Sequence, residues 1–166
     1  MVKKHAGVHP VLYALLQNKQ SVTCMRMIEM IREMVPNARP DAINCDFEYA
    51  AFATMKDCFS DVEIRGCLFH LLQNLLKQIK SMGLMGSYNS NPDLALHAKM
   101  VTALSFVPND DIDRHVDALA MDLSGELVPV LNWFEDNYIG RPYRRGTGKR
   151  QPLFLTEMWN MYQRTL

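Results

Sequence analysis

The stretch Ala42-Ile43-Asn44-Cys45-Asp46-Phe47-Glu48 runs from apolar side chains into a carboxylate and then into residues 48–58, where Ala, Met and Phe recur at helical spacing. A short apolar run that ends on an acid and gives way to a 3.6-residue period predicts a strand, an acidic tip and a helix. Residues 62–67, Val-Glu-Ile-Arg-Gly-Cys, repeat the arrangement, with polar and apolar residues alternating as a half-exposed strand requires. The helix that follows is expected over 68–81, with Gly83 as its stop. Strands alternating with helices argue for an α/β sheet with crossover connections, where ligand chemistry gathers at the carboxyl ends of the strands. Asp46 and Cys67 stand at two such ends.

Upstream, residues 8–16 form a nearly continuous apolar run, which suits a strand buried on both faces, with Pro10 near its start. Ser21 offers an N-cap for a helix whose face carries Met25, Ile28, Met30, Ile31, Met34 and Val35, and Pro36 should stop it. Those methionines read as core filling, with a flexible partner surface as the alternative. Downstream, only helices are expected: 93–103, 110–123 behind Pro108-Asn109, and 125–138. Residues 141–152, rich in Gly, Pro and basic side chains, read as a loop, and 155–166 as the opening of another helix. The expected organisation is an α/β core over 1–88, a helical insertion over 89–140, and a basic loop with the start of a final core helix over 141–166.

Composition narrows the function classes. The chain has 166 residues, of which 48% are hydrophobic, enough for about one domain's core. Lys plus Arg equal Asp plus Glu at 18 each, which excludes the global basic excess of a small stand-alone nucleic-acid binder. Any such affinity must be local. Cys24, Cys45, Cys58 and Cys67 are scattered singly, unlike a secreted disulfide scaffold, and suit a reducing compartment. No apolar run approaches the roughly 20 residues needed to cross a bilayer, so a soluble intracellular protein without membrane contact is expected.

Several phrases then fall in a distinctive order: residues 10–19, Pro-Val-Leu-Tyr-Ala-Leu-Leu-Gln-Asn-Lys; Asp46-Phe47-Glu48 with Ala50 and Ala51; Arg65-Gly66-Cys67-Leu68-Phe69-His70 with Gln73; Gly83-Leu84 and Tyr88; Ala103-Leu104 with Phe106-Val107-Pro108; and Trp159-Asn160-Met161-Tyr162. In order and spacing, over nearly the whole chain, these resemble the Mutator-like element (MULE) transposase domain. The resemblance implies an RNase H-like fold, here incomplete, with a mixed sheet, flanking helices and an inserted helical subdomain. It implies a nuclear protein of a transposable element, acting in DNA recombination with DNA as partner and without a small-molecule substrate. A homo-oligomer is also open. In the complete family domain an Asp-Asp-Glu set holds Mg2+ or Mn2+; two hard cations about 3.5 to 4 Å apart need bridging oxygen ligands to activate the attacking hydroxyl and steady the leaving oxygen.

Carried over by residue, the second Asp of that set falls on Asp46. The first has no counterpart, since none of the seven residues before Val8 is acidic, and the Glu would lie past Leu166. The expectation is therefore a piece of a transposase domain that does not cleave DNA alone and holds no cation stably. The alternative is a domesticated DNA-binding or protein-interaction module without catalysis.

Each candidate residue has a plainer reading beside the chemical one. Asp46 is either a metal ligand in the catalytic set or a helix N-cap. Glu48 reads as a first-turn acid favoured by the helix dipole. Cys67 and His70, a Cys-x-x-His element that the family carries beside its active site, are either supports of the catalytic carboxylate or a buried thiol and a hydrogen-bonded imidazole. Two such ligands do not make a zinc site. Arg141, Arg144, Arg145, Lys149 and Arg150, with Tyr143 among them, are either DNA-phosphate contacts or a solvated loop.

Overall fold

The computed structural model describes residues 2–4, 7–10, 12–59 and 61–165, so Val11, within the run expected as a strand, and Leu166, at the end of the last expected helix, lie outside them. The protein is a mixed α/β chain, mostly helical. It divides into two compact units, residues 1–42 with 48–63, and residues 43–47 with 64–166.

In the first unit β1 (Val2–Lys4) pairs antiparallel with β2 (Gly7–His9). The apolar run expected as a buried strand over 8–16 does not continue past His9: residues 12–16 carry no strand, and Leu15 is fully exposed. A continuous apolar run suits a strand only where both of its faces are covered, and the β1–β2 sheet holds no third strand among the described residues. Residues 12–17 instead border an apolar groove of about 590 Å³ along α1 (Ser21–Met34), with Val22, Met27, Met30 and Met34 on the other side. Ser21 is not the cap of that helix. Gln20 holds the N-cap position without a side-chain bond, and Asn18 Oδ1 takes up the Gln20 N–H at 3.0 Å and the Thr23 hydroxyl at 2.7 Å.

The turns of α1 pack against α2 (Tyr49–Cys58), burying Cys24 and Ile28 from one side and Thr54 from the other. The Thr54 hydroxyl donates to Ala50 O at 2.7 Å, which meets the need of a buried polar group for a partner.

β3 (Ala42–Cys45) and β4 (Glu63–Gly66) lie side by side as a parallel pair. This pair and the β1–β2 hairpin are the sheets of the described residues, in place of one larger mixed sheet. The bond from Cys67 N to Cys45 O, 3.1 Å, closes the β3–β4 ladder within the second unit.

The second unit is built on helices. On α3 (Leu68–Ser81) Leu71, Leu75 and Ile79 recur every four residues and are buried, the stripe that a surface helix turns to its core. Gly83, at φ +75°, ends it, with Leu84 N bonded back to Ile79 O. A short α4 (Met85–Ser90) follows, which the sequence pattern did not suggest. Asn91 then caps α5 (Pro92–Ala103), accepting the N–H groups of Asp93 and Leu94, with Pro92 at the first helical position.

α6 (Ile112–Asp122) contributes Ile112, Val116 and Leu119 to the core. The single helix expected over 125–138 is instead a short 3-10 turn, α7 (Val128–Phe134) and a π-helical turn, Glu135–Ile139, that ends on Gly140 at φ +88°. The last expected helix is likewise broken, into α8 (Thr156–Trp159) and α9 (Tyr162–Thr165). The break falls at Asn160, whose side chain donates to Val107 O and accepts Tyr162 N–H, 2.8 Å in each case. Such side-chain bonds to backbone compete with helix continuation.

Candidate functional site at the tip of the parallel strand pair

Asp46 follows directly on β3, and His70 is the third residue of α3, just past β4. The chain order thus delivers a carboxylate and an imidazole to the carboxyl ends of two neighbouring parallel strands. They meet: His70 Nδ1 lies 2.9 Å from Asp46 Oδ1, with the side chains 33% and 55% exposed. The separation is short, yet the contact does not meet hydrogen-bond geometry, and the buried Nδ1 has no hydrogen-bond partner among the described residues. The carboxylate therefore keeps access to solvent on one side and a ring nitrogen on the other.

Asp46 does not cap α2. That position belongs to Glu48, which makes no side-chain cap bond and instead pairs with Lys19 at 2.6 Å. Cys67 is the N-cap residue of α3, and its carbonyl accepts the His70 and Leu71 N–H groups. Its half-buried thiol and the backbone that positions His70 are thus one residue's two contributions. Cys45, buried one residue before Asp46, has its thiol pushed up to about 11, by burial first and by the neighbouring Asp46 charge second. A thiol held neutral in this way is neither a nucleophile nor a ready metal ligand.

What holds Asp46 at this tip is the next residue. The ring of Phe47 stands edge-on to Tyr138, at 5.4 Å between centroids, and to Phe154 at 5.1 Å. Tyr138 also touches Phe134 and Trp159, and the Trp159 indole N–H donates to Tyr138 O at 2.7 Å. Asn74 donates to the Tyr138 hydroxyl, whose pKa burial raises and this bond partly restores. Gly66, on β4, leaves the room that Phe47 occupies, since a Cβ there would come within 2.5 Å of the Phe47 ring. Arg164 reaches across to bond Gly66 O and Met158 O. Phe47 as an anchor was not read from the sequence, where it appeared only as part of a motif; its partners lie 91 and more residues away along the chain.

The second candidate region is the basic loop. It is a hairpin, with an antiparallel bridge between Pro142 and Lys149 and bonds from Arg150 N to Arg141 O and from Tyr143 N to Gly148 O. Gly140 lies so close to Arg150 O that a side chain there would collide with that carbonyl. At the base Arg141 stands near Glu135 and Asp136, at 3.9 and 3.7 Å, Arg150 meets Asp136 at 3.1 Å, and Lys149 pairs with Asp113. Glu135 has its pKa raised by burial, an effect that the Arg141 charge opposes. Arg144 and Arg145, at the tip, are exposed and make no ion pair with the described residues. The structure thus sorts the five cations of the sequence into three at the base and two at the tip. Asp113 escaped sequence reading because it is 36 residues from Lys149 and no periodicity links them.

Among the described residues no group of three or more His, Cys, Asp or Glu side chains is arranged to hold a metal ion. Asp46 and His70 are two donors, too few for a two-cation centre. Nor is any helix of the described residues long and apolar enough to cross a membrane. No protein-family model, curated protein or solved structure matches the chain.

Proposed function

We propose that this chain carries part of a Mutator-like transposase domain with an RNase H-like ancestry, contributing one carboxylate of a metal-binding set and unable to cleave DNA by itself. The observation that supports the reading most directly is the 2.9 Å approach of His70 to Asp46 at the carboxyl ends of two parallel strands. That is where open α/β sheets gather their ligands. Asp46 is a hard oxygen donor suited to Mg2+ or Mn2+, and the His70 ring stands within reach of it. With two donors, a hydrated cation is held weakly and without fixed geometry.

The test is NMR of the whole chain titrated with Mn2+, in parallel with a plasmid-nicking assay. Broadening should appear first at Asp46 and His70, at millimolar metal, and should vanish in Asp46→Asn, with no nicking in either protein. Broadening elsewhere but not at these residues overturns the transposase reading. Nicking that Asp46→Ala abolishes overturns the inactivity. The small donor count also favours a second reading, a transposase-derived DNA-binding or protein-interaction module without chemistry. Nanomolar to micromolar DNA binding without local Mn2+ broadening would establish that reading instead.

A further inference from the structure

The hairpin over residues 141–150 divides its charge by position. At its base Arg141, Lys149 and Arg150 face Glu135, Asp136 and Asp113, so three cations meet three carboxylates and the local charge is cancelled. Gly140 closes the base against Arg150 O, and the Pro142–Lys149 bridge fixes the two arms in register. Beyond that base stand Arg144 and Arg145, exposed, with half-exposed Tyr143 beside them and Gly146 and Gly148 at φ +87° and +99° turning the tip. A Cβ on Gly148 would touch the Tyr143 ring, so the ring lies along the returning arm rather than folding into the core.

From this geometry we infer that the hairpin is a two-arginine finger for the phosphodiester backbone of duplex DNA, its base cations serving as struts and only Arg144 and Arg145 gripping phosphate. This rests on the DNA reading proposed above and deepens it. Two adjacent planar guanidinium forks match phosphate oxygens bidentately, which a lysine pair would not do. The neutralised base contributes little to the field at the tip, so the count of phosphates engaged is two rather than five. The struts fix the finger beforehand, so little conformational freedom is lost on binding.

The test is fluorescence anisotropy of the whole chain with a labelled 20-base-pair duplex, repeated between 50 and 200 mM salt. Two phosphate contacts give a slope of log K against log salt of about −2, a loss of about tenfold over that range. Arg144→Ala with Arg145→Ala should remove at least tenfold in affinity at low salt and flatten the slope. Lys77→Ala with Lys80→Ala, two exposed cations on α3, should change affinity less than threefold. A slope of about −4.5, several hundredfold over the range, means that all five cations bind and overturns the division of labour. Unchanged binding in the tip variant overturns the finger, and tighter binding of poly-glutamate than of the duplex overturns the choice of DNA. Circular dichroism of each variant guards against misfolding. Because the Mn2+ titration reads Asp46 and His70 alone, failure of the finger leaves that result standing, and the reverse holds as well.

Discussion

Replacing Gly66 with alanine tests whether Asp46 is held in place by the ring beside it. A Cβ at position 66 would lie 2.5 Å from Phe47 Cζ, 2.8 Å from Cε1 and 3.2 Å from Met158 O. The ring has little freedom to withdraw, because it packs edge-on against both Tyr138 and Phe154, which stack on one another at 5.6 Å. Overpacking of this kind costs about 1 to 3 kcal/mol. Alanine also restricts the unfolded chain, which returns about 0.4 to 1 kcal/mol. The net expectation is a loss of about 1 to 2 kcal/mol, or roughly 2 to 8 °C in melting temperature for a chain of this size. Urea unfolding followed by tryptophan fluorescence is the natural assay, since Trp133 and Trp159 both belong to the second unit. Phe47→Leu shortens the obstructing side chain, so the double variant should recover part of the loss, with a coupling energy of at least about 0.5 kcal/mol. A neutral or stabilising Gly66→Ala, or two effects that simply add, would refute the argument that these residues share one space.

The other expectations concern single contacts. Trp159→Phe should lower stability by about 2 to 3 kcal/mol by denuding Tyr138 O and leaving space in the aromatic cluster; a loss under about 1 kcal/mol in the same assay would show that the indole bond matters little. Asn91→Ala should cost about 1 kcal/mol as a lost helix cap, and a restored value in Asn91→Ser or Asn91→Asp would identify the cap as the cause. Cys45 should be alkylated by iodoacetamide at pH 8 more slowly than Cys58 or Cys67, and faster in Asp46→Asn than in the native protein. Because the folded-state thiol is raised above its unfolded value, its contribution to stability is complete below about pH 9 and is lost as pH rises towards about 11. Mass spectrometry of the alkylated cysteines checks the order, and equal rates at Cys45 and Cys58 would contradict the burial argument.

Which elements could be read in the sequence follows from how locally each is encoded. The α3 helix was legible to the residue, because Leu71, Leu75 and Ile79 repeat at one period and Gly83 supplies the left-handed stop. The β3 and β4 strands were legible too, since each is a short run bounded by a polarity change. The run at 8–16 misled because apolarity without a period does not distinguish a buried strand from a segment laid beside a helix. The breaks at Glu135 and Asn160 were invisible for a different reason. Both sit in helical patterns, and what interrupts them is tertiary: a π turn leading into Gly140, and an amide bonded to Val107 O, 53 residues distant. At the candidate site, spacing put Asp46 and Cys67 at strand ends with His70 three residues on, but only folding could say that Asp46 and His70 approach one another. The pairing of Lys149 with Asp113 depends on a helix brought in from 36 residues away.

The second unit borrows residues 43–47 from upstream and resumes at 64, so it is discontinuous along the polypeptide. A shortened protein starting at Ile64 would keep every helix from α3 onward yet lose the phenyl ring that fills the gap over Gly66, together with the acid beside it. The intervening excursion, residues 48–63, must be looped out before that ring can dock, an entropic toll that grows only slowly with its length. Insertions into the excursion should therefore be borne more easily than any cut that severs it, and the pentapeptide supplied separately would have to compete without the tether that now delivers it.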